Sequence, residues 1–259
     1  MQQAQNQLIK PNQIISALLD LEPIKTWSLI VTMFGDLEGG SATGKQLRYL
    51  LEPLGIRAET TRVALHRLKR DGWITSEKIG REVRYQLSPR GIRETEAVYQ
   101  DVFRRKVKYP DGWRLILVSD HRDVTCAMLP RIQIGRHITL VPRIENDVAG
   151  DAIETKFVGE GLPEWFQHRI LSETTLKLAA KLEVQAACFE DSAGKMDGVT
   201  KLYIRLLLLH HWRKLALRPG CWAHIHYVPN GSVAGCHKRI TRILENEKPI
   251  DLRRLRSPV

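Results

Sequence analysis

Residues 43–88 read TGKQLRYLLEPLGIRAETTRVALHRLKRDGWITSEKIGREVRYQLS. Leucines at positions 47, 50, 51 and 54 recur at the spacing of one helix face. Gly55 follows them, at the place where a left-handed residue most often ends a helix. Ser41 or Thr43 can cap the start of this helix. The pattern predicts a short helix closed by a tight turn.

A basic helix is predicted three residues after that turn, and it ends at Asp71-Gly72. One face is predicted to be apolar and to consist of Ala58, Thr61, Leu65 and Leu68. The opposite face is predicted to point outward and carries Thr60, Arg62, Val63, His66 and Arg67. The helix therefore combines a core-facing side with a basic exposed side.

A β-ribbon is predicted next, from Trp73-Ile74 and from residues 83–87, with residues 79–82 as its turn. Upstream, apolar residues at helical spacing predict a further helix from Ile24 to Leu37, stopped by Gly39-Gly40. Two helices, a basic helix and a basic ribbon in this order are typical of a winged helix-turn-helix that binds DNA. The alternative is a small α+β domain with a solvated cationic face.

The charge distribution favours a polyanionic partner. The chain has 40 Lys and Arg against 29 Asp and Glu, a net charge of +11. Between Arg57 and Arg93 there are ten cationic and four anionic residues, so this segment carries 10 − 4 = +6. Charge alone does not separate nucleic acid from an acidic membrane surface. Four cysteines without a C-x-x-C pair, a polar N-terminus and no long apolar run predict a cytoplasmic protein without a membrane span.

The remaining sequence predicts two further regions. A helix is expected from Pro89 to Val102, with a domain boundary near residue 105. Strands at 113–118 and 138–142, with a helix at 125–134 between them, predict a small βαβ-type middle domain. From Leu162 onward the pattern is helical, with a leucine-rich helix from Leu202 to Leu217.

Several of these stretches resemble the phenylacetate-degradation repressor (PaaX) family. The N-terminal domain of that family is matched by SLIVTMFGDL from Ser28, LEPLGIRAETTRVALHRLKRDGWI from Leu51 and GREVRYQLSPRG from Gly80. Asp111-Gly112-Trp113 resembles the start of its ferredoxin-like middle domain. LLHHWRK from Leu208 resembles the Leu-x-His-Glu-Trp-Arg-Arg stretch of its C-terminal domain, with His211 where Glu is common.

The resemblance implies an α+β chain with an N-terminal winged helix-turn-helix, a small ferredoxin-like (Cas2-like) middle domain and a mostly helical C-terminal domain. The corresponding ranges are 1–104, 105–168 and 169–259. It further implies a homodimeric repressor that binds palindromic duplex operator DNA, needs no cofactor and is released by an aryl-CoA thioester such as phenylacetyl-CoA. The alternatives are a regulator of another pathway, with a different acyl-CoA or aromatic effector, and a less specific nucleic-acid-binding protein.

Within this interpretation, seven residues have expected roles on DNA. Thr60, Arg62 and His66 are expected at base edges, because Arg grips guanine bidentately and a Thr methyl contacts the thymine methyl. Arg67 and Lys69 are expected on phosphates, and Arg81 and Arg84 in or beside the minor groove. Arg62 and Arg67 can alternatively be exposed solubilising charges.

Two other groups of residues are candidates for ligand sites. His210, Trp212 and Arg213 are candidates for effector contact, although helical spacing beside Leu208 and Leu215 favours a core position for Trp212. Zinc-binding residue types recur in the C-terminal third, at Cys221, His224, His226, Cys236 and His237. Their spacing matches no zinc motif, so a histidine-rich surface loop without metal is expected.

An enzyme is not expected. A nuclease built on the middle domain would need clustered acidic residues to hold a metal, and the sequence offers only Asp120 and Asp123 near the first strand. Both fit equally as loop and helix-capping residues.

Overall fold

A computed structural model describes residues 11–103, 106, 108–109, 111–117, 130–143, 153–155 and 162–254. The fold is α+β, with two small antiparallel sheets. The helices are α1 (Pro11–Leu19), α2 (Thr26–Gly35), α3 (Gly44–Leu51), α4 (Ala58–Arg70), α5 (Pro89–Val102), α6 (Glu164–Ile170), α7 (Glu173–Ser192), α8 (Gly198–Ala216), α9 (Gly220–Tyr227) and α10 (Ser232–Asn246). The strands are β1 (Ser41–Thr43), β2 (Ile74–Ile79), β3 (Glu82–Leu87), β4 (Trp113–Leu117), β5 (Ile132–Gly135), β6 (Ile138–Pro142) and β7 (Ile153–Thr155).

The start of α3 agrees with the predicted cap, whereas the helix ends earlier than predicted, at Leu51, and a 3₁₀ turn at Glu52–Leu54 leads to Gly55. Thr43 Oγ1 accepts from the Gln46 amide at 3.2 Å, and Gln46 Oε1 accepts from the Thr43 amide at 2.9 Å. This reciprocal capping box satisfies two backbone donors that the helix itself leaves unpaired. Gly55 has φ +79°, the left-handed conformation in which glycine carries little steric cost. The turn between α3 and α4 is thus fixed locally.

The β-ribbon is confirmed, and it belongs to a larger sheet than predicted. β2 and β3 pair from Ile74 opposite Leu87 to Ile79 opposite Glu82, with Gly80 and Arg81 at the turn. A third strand, β1, pairs with the other edge of β3, giving the order β1-β3-β2. The predicted apolar face of α4 needs one correction: Ala58 is exposed, and Ala64 is buried with Thr61, Leu65 and Leu68. Ala58 is the first residue of the helix, before its face meets the core.

The second sheet has the order β5-β6-β4-β7, and all its pairs are antiparallel. The helix predicted for residues 125–134 is wrong at its end, because residues 132–134 lie in β5. Ile132 and Ile134 are buried while Gln133 between them is exposed, which is strand periodicity. Residues 125–129 of that prediction lie outside the described residues, as do Asp120, Asp123 and Cys126.

The helical core is arranged around α8, which packs against α1, α2, α7 and α10. Asp197 caps α8, with Oδ1 accepting from the amides of Val199 and Thr200 at 2.9 Å. Since α1 packs against α7 and α8, and α2 packs against α8, helices from both ends of the chain share one core. Among the described residues, no helix is both long enough and apolar enough to cross a bilayer.

A segment after α10 attaches to the turn after α2. The amide of Ile250 donates to Asp36 O at 3.0 Å, and the amide of Glu38 donates to Ile250 O at 2.8 Å. Leu37 and Ile250 therefore face each other in an isolated parallel bridge. This attachment fixes the turn that leads through β1 into α3 and α4.

The histidine-rich surface loop predicted in the C-terminal third is wrong. Cys221, His224 and His226 lie on α9, and Cys236 and His237 lie on α10. All except His226 are buried, because α9 packs against α6 and α10. The polar residue types suggested exposure, but helix packing determines their position.

Candidate nucleic-acid interface

The exposed face of α4 carries the predicted base-reading residues. Its buried face packs against α2 and α3, which leaves the opposite face in solvent. Thr60, Arg62, His66, Arg67 and Lys69 are all exposed there. Val63 is exposed among them, with 60% of its surface accessible. A helix with small, basic and apolar side chains on one open face can contact both base edges and phosphates.

The cations of α4 are held by weak, exposed contacts. Arg62 Nη2 lies 2.5 Å from Glu59 Oε2, and Arg67 Nε lies 3.5 Å from Asp71 Oδ2. The Arg67 guanidinium also lies 5.6 Å from the centre of the Trp27 ring. Ion pairs this exposed are worth little, so both arginines can exchange their carboxylates for phosphates or bases.

The ribbon adds further exposed cations beside α4. Arg81 lies at the turn, and Arg84 lies in the central strand opposite Glu77 of β2 and Thr43 of β1. Lys69 Nζ donates to Ser76 Oγ at 2.7 Å, which connects the end of α4 to β2. Helix and ribbon thus have a fixed relative position, as simultaneous contact with a groove and the backbone requires.

Ser88 is a structural residue of this region that was missed in the sequence. Its Oγ donates to Gly72 O at 2.6 Å and accepts from the Gly91 amide at 2.9 Å. It therefore caps α5 and holds the ends of α4 and β3 together. The signal was present in the sequence, since a Ser followed by Pro at the first helical position is a common helix start.

Two of the three effector candidates are core residues. His210 and Trp212 are fully buried, and Trp212 Nε1 donates to Val102 O at 2.8 Å. Burial, assisted by the neighbouring His211 and Arg213, lowers the pKa of His210 to about 3, so this imidazole is neutral. Arg213 differs from both, because it lines a cavity between α2, α5 and α8.

The five zinc-type residues do not form a metal centre in the structure. Within the described ranges, no group of three or more His, Cys, Asp or Glu side chains could hold an ion together. Both ring nitrogens of His224 lack a hydrogen-bond partner, and burial lowers its pKa to about 4. Burial also raises the pKa of the Cys221 and Cys236 thiols. Cys221, His224 and Cys236 are therefore neutral core side chains.

Comparison with known proteins places a family match on the same segment. Residues 25–91 match the family described as PaaX-like protein, which covers α2, α3, α4 and the three-stranded sheet. The chain is also 33% identical over 117 residues to "Transcriptional repressor PaaX" of Escherichia coli (strain K12). That match covers 44% of this chain and 37% of the length of the relative. The chain is therefore similar to PaaX proteins over residues 25–91, and it spans about a third of the length of the curated relative that it matches.

Proposed function

We propose that this protein is a sequence-specific transcriptional repressor that binds duplex DNA through α4 and the β2–β3 ribbon. The observation that carries the proposal is the open face of α4, where four cations, Arg62, Arg67, Lys69 and Arg70, face solvent beside an exposed ribbon. The match to a named transcriptional repressor supports it. Among the described residues of α4 there is no exposed Phe, Tyr or Trp on which single-stranded bases could stack, which favours duplex over single-strand binding.

The proposed DNA-binding unit is a winged helix-turn-helix. In it, α3 and α4 are the two helices of the motif, and β2 and β3 are the wing. We further propose a ferredoxin-like (Cas2-like) middle domain at 105–168 between an N-terminal domain at 1–104 and a helical domain at 169–259. The order β5-β6-β4-β7 supports the middle domain, since it is the strand order of a split βαβ sheet.

The proposed roles follow the position of each side chain. Thr60, Arg62 and His66, on the exposed face of α4, approach base edges in the major groove. Arg67 and Lys69, nearer the end of α4, neutralise phosphates. Arg81 and Arg84 lie in or beside the adjacent minor groove. Phosphate contacts position the protein, whereas base contacts supply the sequence preference.

The assembly and the effector are part of the same proposal. A homodimer on a palindromic operator fits the geometry of helix-turn-helix readers, which place two recognition helices about one DNA turn apart. The effector is an aryl-CoA thioester such as phenylacetyl-CoA, supported by the resemblance to the family whose model matches residues 25–91. The alternative is another acyl-CoA or an aromatic compound that regulates a different pathway.

Sequence-specific DNA binding is tested in two steps. A preferred duplex is first selected from a random library. Fluorescence anisotropy at fixed salt then compares the affinity of the protein for this duplex and for a scrambled one. We expect tight binding to the selected duplex and weak binding to the scrambled one. Lys181→Ala is a control variant that should bind both duplexes as the wild type does, because Lys181 is an exposed cation on α7 that has no assigned role on DNA. Equal binding to both duplexes would remove the sequence-specific reading and leave a general nucleic-acid-binding protein.

The effector is tested on the same selected duplex. Phenylacetyl-CoA is added at constant ionic strength, with free CoA and phenylacetate as separate controls. Release by the thioester alone is the expected result. Release by free CoA as well would show competition by a polyanion and contradict the assignment of an aryl-CoA effector.

A further inference from the structure

Val63 is an apolar side chain near the middle of the exposed face of α4. The side of the helix that faces the core is marked by four buried residues, Thr61, Ala64, Leu65 and Leu68. At about 100° per residue, Val63 lies within about 30° of the direction opposite to this buried side. It is 60% exposed. Val63 therefore points away from the core and contributes nothing to its packing.

The other side chains along the same central strip of α4 are polar. Glu59, His66 and Arg70 also lie within about 30° of the outward direction, and all three are exposed. The structure describes every residue of this helix, and within it Val63 is the one apolar side chain of the strip. A partner that contacts the middle of this face therefore meets a single apolar group among polar ones.

Cations flank Val63 on both sides of the helix. Arg62 and Arg67 each lie about 70° from the outward direction, one on either side of it. Both are exposed, as are the ion pairs that they make with Glu59 and Asp71. The major groove of a duplex is about 12 Å wide, is bordered by phosphates on both sides and admits one helix. A duplex that binds both flanks brings its base edges to Val63.

The position of Val63, and not its exposure alone, distinguishes it from other surface residues. Single exposed apolar side chains are common on proteins, and Val184 of α7 is 55% exposed. An exposed valine gains little from burial and loses side-chain freedom in a helix, so alanine would stabilise the helix more. Val63 has this cost at the centre of a cationic face, where a bound duplex would remove its side chain from water.

We propose that Val63 contacts the 5-methyl group of a thymine in the major groove and so selects thymine at one position of the recognised site. Thymine is the one standard DNA base with a methyl group on its major-groove edge, and apolar side chains recognise it there. Thr60 also carries a methyl group, but it lies about 90° from the outward direction and is less well placed. The inference rests on the proposed function, because it needs a duplex that the protein prefers.

Deoxyuridine tests the methyl contact directly, since it pairs as thymidine does and lacks only the 5-methyl group. Each thymine of the selected duplex is replaced singly, and fluorescence anisotropy at fixed salt measures the affinity. We expect one position, with its symmetry mate in a palindromic site, at which the replacement weakens binding about 3- to 10-fold, the range for burial of one methyl group. In Val63→Ala, the thymine duplex should bind more weakly by a similar factor, and deoxyuridine at that position should have no further effect.

Three further variants assign the contact to this side chain. Val63→Ile keeps an apolar surface and should keep the weakening caused by deoxyuridine. Val184→Ala makes the same change at an exposed valine of α7, so it should alter neither the affinity nor the weakening. Thr60→Ala should keep the weakening as well, and its loss in Thr60→Ala alone would move the methyl contact to Thr60. Because Val63 is exposed, Val63→Ala should unfold at the urea concentration of the wild type, which excludes misfolding as the cause.

Two results would overturn the methyl contact while leaving the repressor proposal intact. One is a weakening by deoxyuridine that persists undiminished in Val63→Ala. The other is a selected duplex in which no thymine can be replaced by deoxyuridine with a loss of wild-type affinity. Both are observed on a duplex that the protein prefers. Equal binding of the selected and the scrambled duplex would instead remove the repressor proposal and this inference together, so the two failures are distinguishable.

Discussion

Arg205 of α8 and Asp36 at the end of α2 form a bidentate ion pair that is almost completely buried. The Nε–Oδ2 distance is 2.6 Å and the Nη2–Oδ1 distance is 2.7 Å, with 4% of each side chain exposed. Arg205 Nη1 also donates to Glu247 O at 2.9 Å. One guanidinium thus joins the turn after α2, the central helix and the segment after α10.

Arg205→Ala should reduce the free energy of unfolding by about 3–5 kcal/mol, because it leaves the Asp36 carboxylate buried without a partner. Urea denaturation followed by circular dichroism measures this loss. Arg253→Ala removes an exposed partner of Glu38, so the urea concentration at its unfolding midpoint should stay close to that of the wild type. Similar midpoints for both variants would show that the buried pair contributes no more than a surface contact.

Gly91→Ala should destabilise the junction between the ribbon and α5. A Cβ atom at this position would collide with the backbone carbonyl oxygen of Trp73, which cannot move as a flexible side chain could. We expect a loss of about 1–3 kcal/mol, the usual cost of overpacking. Thermal unfolding checks this value, with Gly194→Ala as the control, since a Cβ at Gly194 meets nothing within 4 Å. Equal melting temperatures would contradict the close approach.

The stability of the protein should fall in mild acid because of its buried histidines. Burial lowers the pKa of His224 from 6.5 to about 4, so the unfolded chain takes up this proton first as the pH falls. The resulting loss of folding stability is small above pH 6.5 and grows as the pH falls toward about 4. At pH 5 it is about 2 kcal/mol.

Urea titrations at pH 7 and pH 5 test this dependence on the wild type and on His224→Leu. The variant should lose less stability between the two values, and it also removes two unpaired ring nitrogens from the core. His66→Asn, a change on the exposed face of α4, should keep the wild-type difference. An unchanged difference in His224→Leu would show that this imidazole does not control the acid response.

Arg62→Ala and Arg67→Ala should weaken DNA binding in different ways. Loss of a base contact at Arg62 should cost about 1–3 kcal/mol on the selected duplex and little on a scrambled one. Loss of a phosphate contact at Arg67 should weaken both duplexes alike and reduce the salt slope by about one. Anisotropy at several salt concentrations separates the two. If Arg62→Ala weakens both duplexes equally, Arg62 contacts phosphate instead.

The local structure of the N-terminal region could be predicted from the sequence because its signals are local. Leucine spacing, the Thr43 cap and Gly55 determine α3 and its turn within a dozen residues. β1 could not be predicted in the same way, since three residues form a strand only when β3 is beside them. The exposed face of α4 followed directly from helical periodicity.

The C-terminal third was less predictable because its determinants are distant in sequence. His224 and Cys236 suggested a polar loop, yet both are buried by helix packing. The Arg205–Asp36 pair joins residues 169 positions apart, and no pattern in either segment indicates its partner. The cavity beside Arg213 likewise forms only when α2, α5 and α8 meet.

The bridge between Leu37 and Ile250 can form only late in the synthesis of the chain, because the two residues are far apart in sequence. After residues 36–38 leave the ribosome, about 200 more residues must be added before Ile250 can pair with them, which takes roughly ten seconds or more at typical rates. During that interval, the turn that leads into α3 and α4 lacks both of its backbone hydrogen bonds to Ile250. A chain that ends before residue 250 therefore cannot attach the turn after α2 in this way, so the position of α3 and α4 relative to the helical core should be held less firmly until synthesis passes that residue.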